Sequence, residues 1–190
     1  MHRQPQKITC ATLETAMAQV SILSLGAITQ SWRVADGRNV VLGFDDPHRY
    51  ADNPNYLGVI AGRVVNRIPR GRYHYAGQDI DLACNLGHDH LHGGPDGISK
   101  RHWTLEKDSA ANAVQLTYLS PDGESGYPGA ARFTVTITLD DATLQYEMHA
   151  SVDQPTPISL AQHNYYHLGG PATDTALWLD AQNYLPTDEA

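Results

Sequence analysis

The stretch Phe133-Thr134-Val135-Thr136-Ile137-Thr138-Leu139 puts every apolar residue on one face and every threonine on the other. Strand side chains alternate with period 2 and helix side chains with period 3.6, so this run fits a half-buried β-strand and no helix. Leu144, Tyr146, Met148, Ala150 and Val152 repeat the pattern against Gln145, Glu147, His149 and Ser151, and Val114, Leu116 and Tyr118 form a third run. Strands with one apolar and one polar face belong to antiparallel sheets that cover a core on one side. Asp140-Asp141-Ala142-Thr143 predicts a hairpin loop between two of these runs, and Ala76-Gly77-Gln78 predicts another turn. Asp36-Gly37-Arg38-Asn39 divides a predicted strand over 22–34 from Val40-Val41-Leu42. The best helical candidate, 58–65, is weakened by its glycines. There is no repeat and no linker-sized stretch, so residues 1–190 are expected to form one all-β domain, a sandwich of antiparallel strands.

Charge and composition narrow the function. Thirteen Lys+Arg against 21 Asp+Glu leave a net charge of −8, which excludes a general binder of nucleic acid or anionic membrane. A hydrophobic fraction of 41% excludes a disordered chain. Two cysteines, Cys10 and Cys84, exclude a disulfide scaffold and fit a reducing compartment. No stretch approaches the roughly 20 apolar residues of a membrane span. The start, MHRQPQKITC, lacks the apolar core of a secretory signal, so a cytoplasmic protein is expected.

Four clusters carry candidate chemistry. Asn66-Arg67 combines an amide with a rigid fork of donors and suits the hydroxyls of a polar ligand; the plainer reading makes Arg63, Arg67, Arg70 and Arg72 a solvated basic stretch. In an extended His88-Asp89-His90-Leu91-His92-Gly93-Gly94, the three histidines point one way, which suits a transition metal. A cupin-type site also needs a nearby carboxylate, and the next glutamate is Glu106. The other readings are a polar surface loop, or His92 alone held by the Gly93-Gly94 turn to face a cleft. The stretch from Ser120 to Gly129 holds Asp122 and Glu124 and reads as a connecting loop, or as a carboxylate pair for glycoside hydrolysis. Gln162-His163-Asn164-Tyr165-Tyr166-His167 follows the strand-like Pro157-Ile158-Ser159-Leu160-Ala161. His163, Tyr165 and His167 then share a face, and His163 is either a hydrogen-bonded structural residue or a general acid in a sugar-lined pocket.

Taken in order, Gly62-Arg63-Val64-Val65-Asn66-Arg67-Ile68, Leu91-His92-Gly93-Gly94 with Trp103, Asp122-Gly123-Glu124-Ser125-Gly126-Tyr127-Pro128-Gly129, and Pro155-Thr156-Pro157 leading to His163-Asn164-Tyr165-Tyr166 resemble the aldose 1-epimerase (galactose mutarotase) family. The likeness runs from near Ile22 to Asn183-Tyr184-Leu185-Pro186-Thr187-Asp188-Glu189. It implies a large antiparallel β-sandwich and the interconversion of α and β anomers of free sugars such as galactose and glucose, with no metal or organic cofactor. It implies that Asn66 and Arg67 bind sugar hydroxyls, that His92 positions the sugar near its ring oxygen, and that His163 is the general acid. Mutarotation opens and recloses a hemiacetal, which needs a proton given to the ring oxygen and another removed from the anomeric hydroxyl.

Two departures accompany the resemblance. His167 and Tyr166 stand where the family commonly has Asn and Phe. The sugar-binding Asp and the general-base Glu of the family lie in its C-terminal half, so no residue of this chain, Glu189 included, takes the base role. The 190-residue chain is therefore expected to be a sandwich truncated at its C-terminus, inactive alone and prone to associate through uncovered strands. A hexose-6-phosphate 1-epimerase, with the Arg63 to Arg72 run as phosphate cations, and a non-catalytic carbohydrate-binding domain are the other readings. The expected partner is a small-molecule sugar; the oligomeric state has no signal in the sequence.

Overall fold

The computed structural model describes residues 7–75 and 77–184. Among the described residues there is no α-helix, only strands, 3-10 turns and irregular segments. β1 (Cys10–Glu14), β2 (Ala18–Leu23) and β3 (Ile28–Val34) form an antiparallel sheet in that order. The next five strands are short: β4 (Ile60–Ala61), β5 (Arg67–Ile68), β6 (Arg72–Tyr75), β7 (Gln78–Asp81) and β8 (His90–Leu91). β5 pairs with β8 and β6 with β7, both antiparallel. β9 (Thr104–Asp108), β10 (Ala113–Ser120), β11 (Ala131–Asp140) and β12 (Thr143–Val152) form the second large sheet, ordered β12-β11-β10-β9. A final strand, β13 (Ala161–Gln162), pairs with β4.

The two large sheets face each other across one core. Ala131, Phe133, Val135, Ile137 and Leu139 of β11 and Val114 and Leu116 of β10 pack against Leu13, Val20 and Ile22 of β1 and β2. Burial of each large apolar side chain contributes roughly 1.5–3 kcal/mol, so the alternation of 133–139 decides which face of β11 is covered. Its threonines stay half-buried on the outer face. β12 follows the same alternation only as far as its cover extends. Leu144, Tyr146 and Met148 are half-buried, but Ala150 and Val152 are exposed although they sit opposite buried Phe133 and Ala131.

Several sequence expectations need correction. The predicted 22–34 strand is two strands, β2 and β3, broken where Gly26 and Ala27 adopt φ of 62° and 50°. The weak helical candidate over 58–65 contains β4. The hairpin after β11 is tighter than predicted: Asp140 pairs with Thr143, leaving Asp141-Ala142 as the turn with Asp141 at φ 52°. Of the predicted Ala76-Gly77-Gln78 turn, Ala76 lies outside the described residues, as does the 185–189 part of the family-like stretch. β1 and β9 were not predicted. β9 is an edge strand carrying Glu106, Lys107 and Asp108, charges that hide its periodicity and guard an open edge. No helix among the described residues is long and apolar enough to cross a membrane.

Candidate functional site

Two of the shortest ladders bring the site together. In the β5–β8 pair Arg67 lies opposite Leu91 and Ile68 opposite His90, which sets Asn66 across from His92. The two residues exchange hydrogen bonds: the His92 N–H donates to the Asn66 carbonyl at 3.1 Å, and the Asn66 N–H donates to His92 Nδ1 at 3.0 Å. Both adopt left-handed backbone, φ 68° at Asn66 and 50° at His92. Left-handed backbone at a residue other than glycine costs of order 1–3 kcal/mol, which the surrounding contacts must offset. Gly93 follows at φ 91°, and a Cβ there would lie 1.8 Å from the Gly62 carbonyl oxygen, so only glycine fits.

The β4–β13 pair delivers the second histidine. Ala161 lies opposite Ala61 and Gln162 opposite Ile60. The His163 N–H then donates to the Val59 carbonyl at 2.9 Å, and the Gly58 N–H to the His163 carbonyl at 3.1 Å. The His92 and His163 rings meet at 5.1 Å, nearly perpendicular at 85°. Tyr56 packs on both, at 4.8 Å from His92 and 5.9 Å from His163, and Tyr165 packs on His163 at 5.3 Å. Asn85 ties the two ladders: its amide brackets Leu91 N–H and C=O at 2.7 and 3.0 Å and donates to the Tyr56 hydroxyl at 3.1 Å. Exposed Arg67 reaches back to the Asn66 side-chain carbonyl at 3.2 Å. Asn66, Arg67, His92 and His163 thus form one cluster, open to solvent on the Asn66–Arg67 side.

Hydrogen bonding and burial set the state of His92. The backbone N–H of Asn66 can only donate, so His92 Nδ1 is an acceptor and the neutral ring carries its proton on Nε2. Burial, then His163, then Arg67 push the His92 pKa down to about 4. His92 is therefore a neutral donor at physiological pH. No described carboxylate hydrogen-bonds to any of the four residues.

The family model for aldose 1-epimerase matches residues 9–190. The chain belongs to the aldose 1-epimerase family. It is 39% identical over 185 residues to the galactose mutarotase of Homo sapiens, covering 93% of this chain and 54% of that protein. It is 34% identical over 194 residues to the aldose 1-epimerase of Escherichia coli (strain K12), covering 98% and 56%. The crystal structure of galactose 1-epimerase from Lactobacillus acidophilus NCFM superposes with a TM-score of 0.79 at 31% identity, over 89% of this chain and 52% of that one. An aldose epimerase homologue from C. elegans gives 0.81 at 28% identity, over 87% and 52%. The chain spans about half the length of the curated relatives it matches.

The other candidates of this epimerase-family chain have structural roles. The three histidines of 88–92 separate: His88 is exposed, His92 joins the cluster, and His90 is buried. His90 Nδ1 donates to the Ala83 carbonyl at 2.7 Å, and Nε2 accepts from the Tyr127 hydroxyl at 2.6 Å. Among the described residues no group of three or more His, Cys, Asp or Glu is placed to hold a metal ion. The four arginines are not one solvated stretch. Arg63 is only 2% exposed, while Arg67, Arg70 and Arg72 are exposed, Arg72 in a surface ion pair with Asp81 at 2.6 Å. Asp122 accepts the Gly129 N–H at 2.5 Å, while Glu124 accepts from Tyr118, Ser120 and Arg101, so both carboxylates close their own loop rather than face a glycosidic bond. Trp103 is a core residue whose indole N–H donates to the Ile98 carbonyl at 3.0 Å. Tyr56 and Asn85 carry no sequence signal, because neither lies in a periodic or clustered pattern, and the basic run around Arg63 conceals its burial.

The buried histidines set a pH dependence. Burial lowers the pKa of both His90 and His92, and an unfolded histidine binds its proton near 6.5. Below that pH the unfolded state takes up protons that the folded state refuses. Stability is therefore complete above pH 6.5 and falls as pH drops towards 4. Thermal melts between pH 7.5 and 4.5 are expected to show a steadily falling Tm, with a shallower slope in His92→Asn; equal slopes would remove His92 as a cause.

Proposed function

We propose that the cluster binds a free hexose, galactose or glucose, and interconverts its α and β anomers by acid–base ring opening. The observation that carries this reading is the meeting of two histidines in unlike surroundings beside an exposed Asn–Arg pair. His163 is the general acid that protonates the ring oxygen. His92, a neutral donor through Nε2–H, holds the sugar near that oxygen and stabilises the charge developing there. Asn66 and Arg67 bind the sugar hydroxyls. The names of the relatives, galactose mutarotase and aldose 1-epimerase, support the substrate and the reaction.

Removal of the anomeric hydroxyl proton needs a base, and no described carboxylate touches the cluster. The resemblance puts the base in the family's C-terminal half and not in this chain, so the 190-residue chain by itself is expected to bind sugar without turning it over. That makes sugar binding without catalysis the second reading for the isolated chain. A hexose-6-phosphate substrate fits less well, since the Arg63 guanidinium is buried and committed to the Ser120–Gly129 loop. No metal or organic cofactor enters the proposed reaction, and the two free cysteines support a reducing, cytoplasmic setting.

Polarimetry of freshly dissolved α-D-galactose tests this. The full-length gene product is expected to accelerate relaxation to the anomeric equilibrium, and the 190-residue chain to leave it at the buffer rate. Equal rates for gene product and buffer would overturn the activity. A clear acceleration by the chain alone would overturn the assignment of the base.

A further inference from the structure

A second cavity, of about 590 Å³, shares no lining residue with the histidine cluster. Its floor is apolar. Leu25 and Tyr50 are 7% and 4% exposed, and Ile8 packs on the same small core. The Tyr50 hydroxyl accepts the Phe44 N–H at 2.9 Å, which fixes the ring. Beside these and Ala51, the lining is cationic or imidazole: Lys7, His48, Lys100 and His102. Independent elements supply these groups. The 3-10 turn Pro47–Ala51 carries His48, the turn Ile98–Lys100 carries Lys100, and a β-bridge sets His102 beside Leu25. Among the described residues no Asp or Glu lines the cavity, in a chain of net charge −8. Asp46, the carboxylate nearest His48 in sequence, instead caps the turn by accepting the His48 N–H at 2.9 Å.

We propose that this cavity is a ligand site for a small organic anion. Its oxyanion head, phosphate or carboxylate, sits among Lys7, Lys100 and His102, and its apolar body, about the size of a ring, lies on Leu25 and Tyr50. Binding clefts of roughly 300–1,000 Å³ combine an apolar lining with a few converging polar groups, as here. A neutral ring would leave both ammonium groups without a counter-charge, and a bare inorganic ion would leave the floor wet. The site stands apart from the sugar-binding reading and does not depend on it.

Calorimetric titration of the chain with phenyl phosphate, phenylacetate, inorganic phosphate and benzyl alcohol tests this. At least one aromatic anion is expected to bind saturably, about tenfold or more tighter than inorganic phosphate and benzyl alcohol. The tighter of the two identifies the head group. Lys100→Gln, at an exposed position that leaves the fold alone, and His102→Gln are each expected to weaken that binding about tenfold. Arg132→Gln, an exposed cation of β11, is expected to leave it unchanged. The proposal is overturned if neither aromatic anion binds saturably, if both variants bind like the wild type, or if galactose displaces the anion, which would put it in the histidine cluster.

Discussion

Arg63→Leu is expected to lower the stability of the chain by about 3–5 kcal/mol, the range for removing one partner of a buried charged network. The guanidinium is buried, yet none of its three nitrogens lacks a partner. Nε donates to Ser120 Oγ at 3.0 Å, one terminal nitrogen to the Gly129 carbonyl at 2.8 Å, and the other to Ser120 Oγ and the Pro121 carbonyl, both at 2.8 Å. Ser120 Oγ in turn bonds to Glu124, so the hydroxyl relays between the arginine and that carboxylate. Removal of the fork strands the Gly129 and Pro121 carbonyl oxygens away from water. Against a typical total of roughly 5–15 kcal/mol, that loss is large. Lysine keeps the charge but not the fork, so Arg63→Lys is expected to recover only part of it. Urea melts check the series, with exposed Arg70→Ala as the control, expected to stay within about 0.5 kcal/mol of wild type. An Arg63→Leu midpoint equal to wild type would show that the network contributes nothing net.

His163→Ala in the full-length gene product is expected to reduce kcat by about 10²–10⁴-fold, the usual contribution of one general acid. KM should change little if His163 acts mainly by proton transfer. His92→Asn should behave differently, because its proposed work is holding the sugar in both ground and transition states. It is expected to raise KM and to lower kcat less than His163→Ala does. The ring contacts of His163 are to Tyr56, His92 and Tyr165, and its backbone is pinned through Val59 and Gly58. Truncation therefore removes the imidazole and leaves its strand in place. Polarimetric progress curves over a range of galactose concentrations separate the two variants. A His163→Ala enzyme with wild-type kcat would take the acid role away from it.

What the sequence discloses is what is local. β10, β11 and β12 are legible because each carries its own alternation, and a hairpin joins two of them. β9 is not, because three consecutive charges on an edge strand erase the period. The break at Gly26-Ala27 is hidden inside an otherwise apolar run. In the site, Asn66, Arg67, His92 and His163 stand out as dense polar clusters and gain roles from the resemblance. Asn85 and Tyr56 do not, since each is isolated in the sequence and finds its partners only in the fold. Arg63 was misread for the same reason. Its chief partner, Ser120, lies 57 residues away, and nothing in the sequence around Arg63 distinguishes a buried fork from a solvated one.

The ladders that present His92 and His163 are two residues long, whereas β11 and β12 pair over ten. Cooperative opening follows such differences, and segments with few backbone bonds exchange their amide hydrogens through small local excursions. The amides of His92 and His163 should therefore exchange long before those of Val135 and Ile137. A preparation can then keep its circular dichroism and its cooperative melt while the histidine pair is already out of register. Spectroscopic integrity is for this reason a poor guide to whether the histidine cluster is intact.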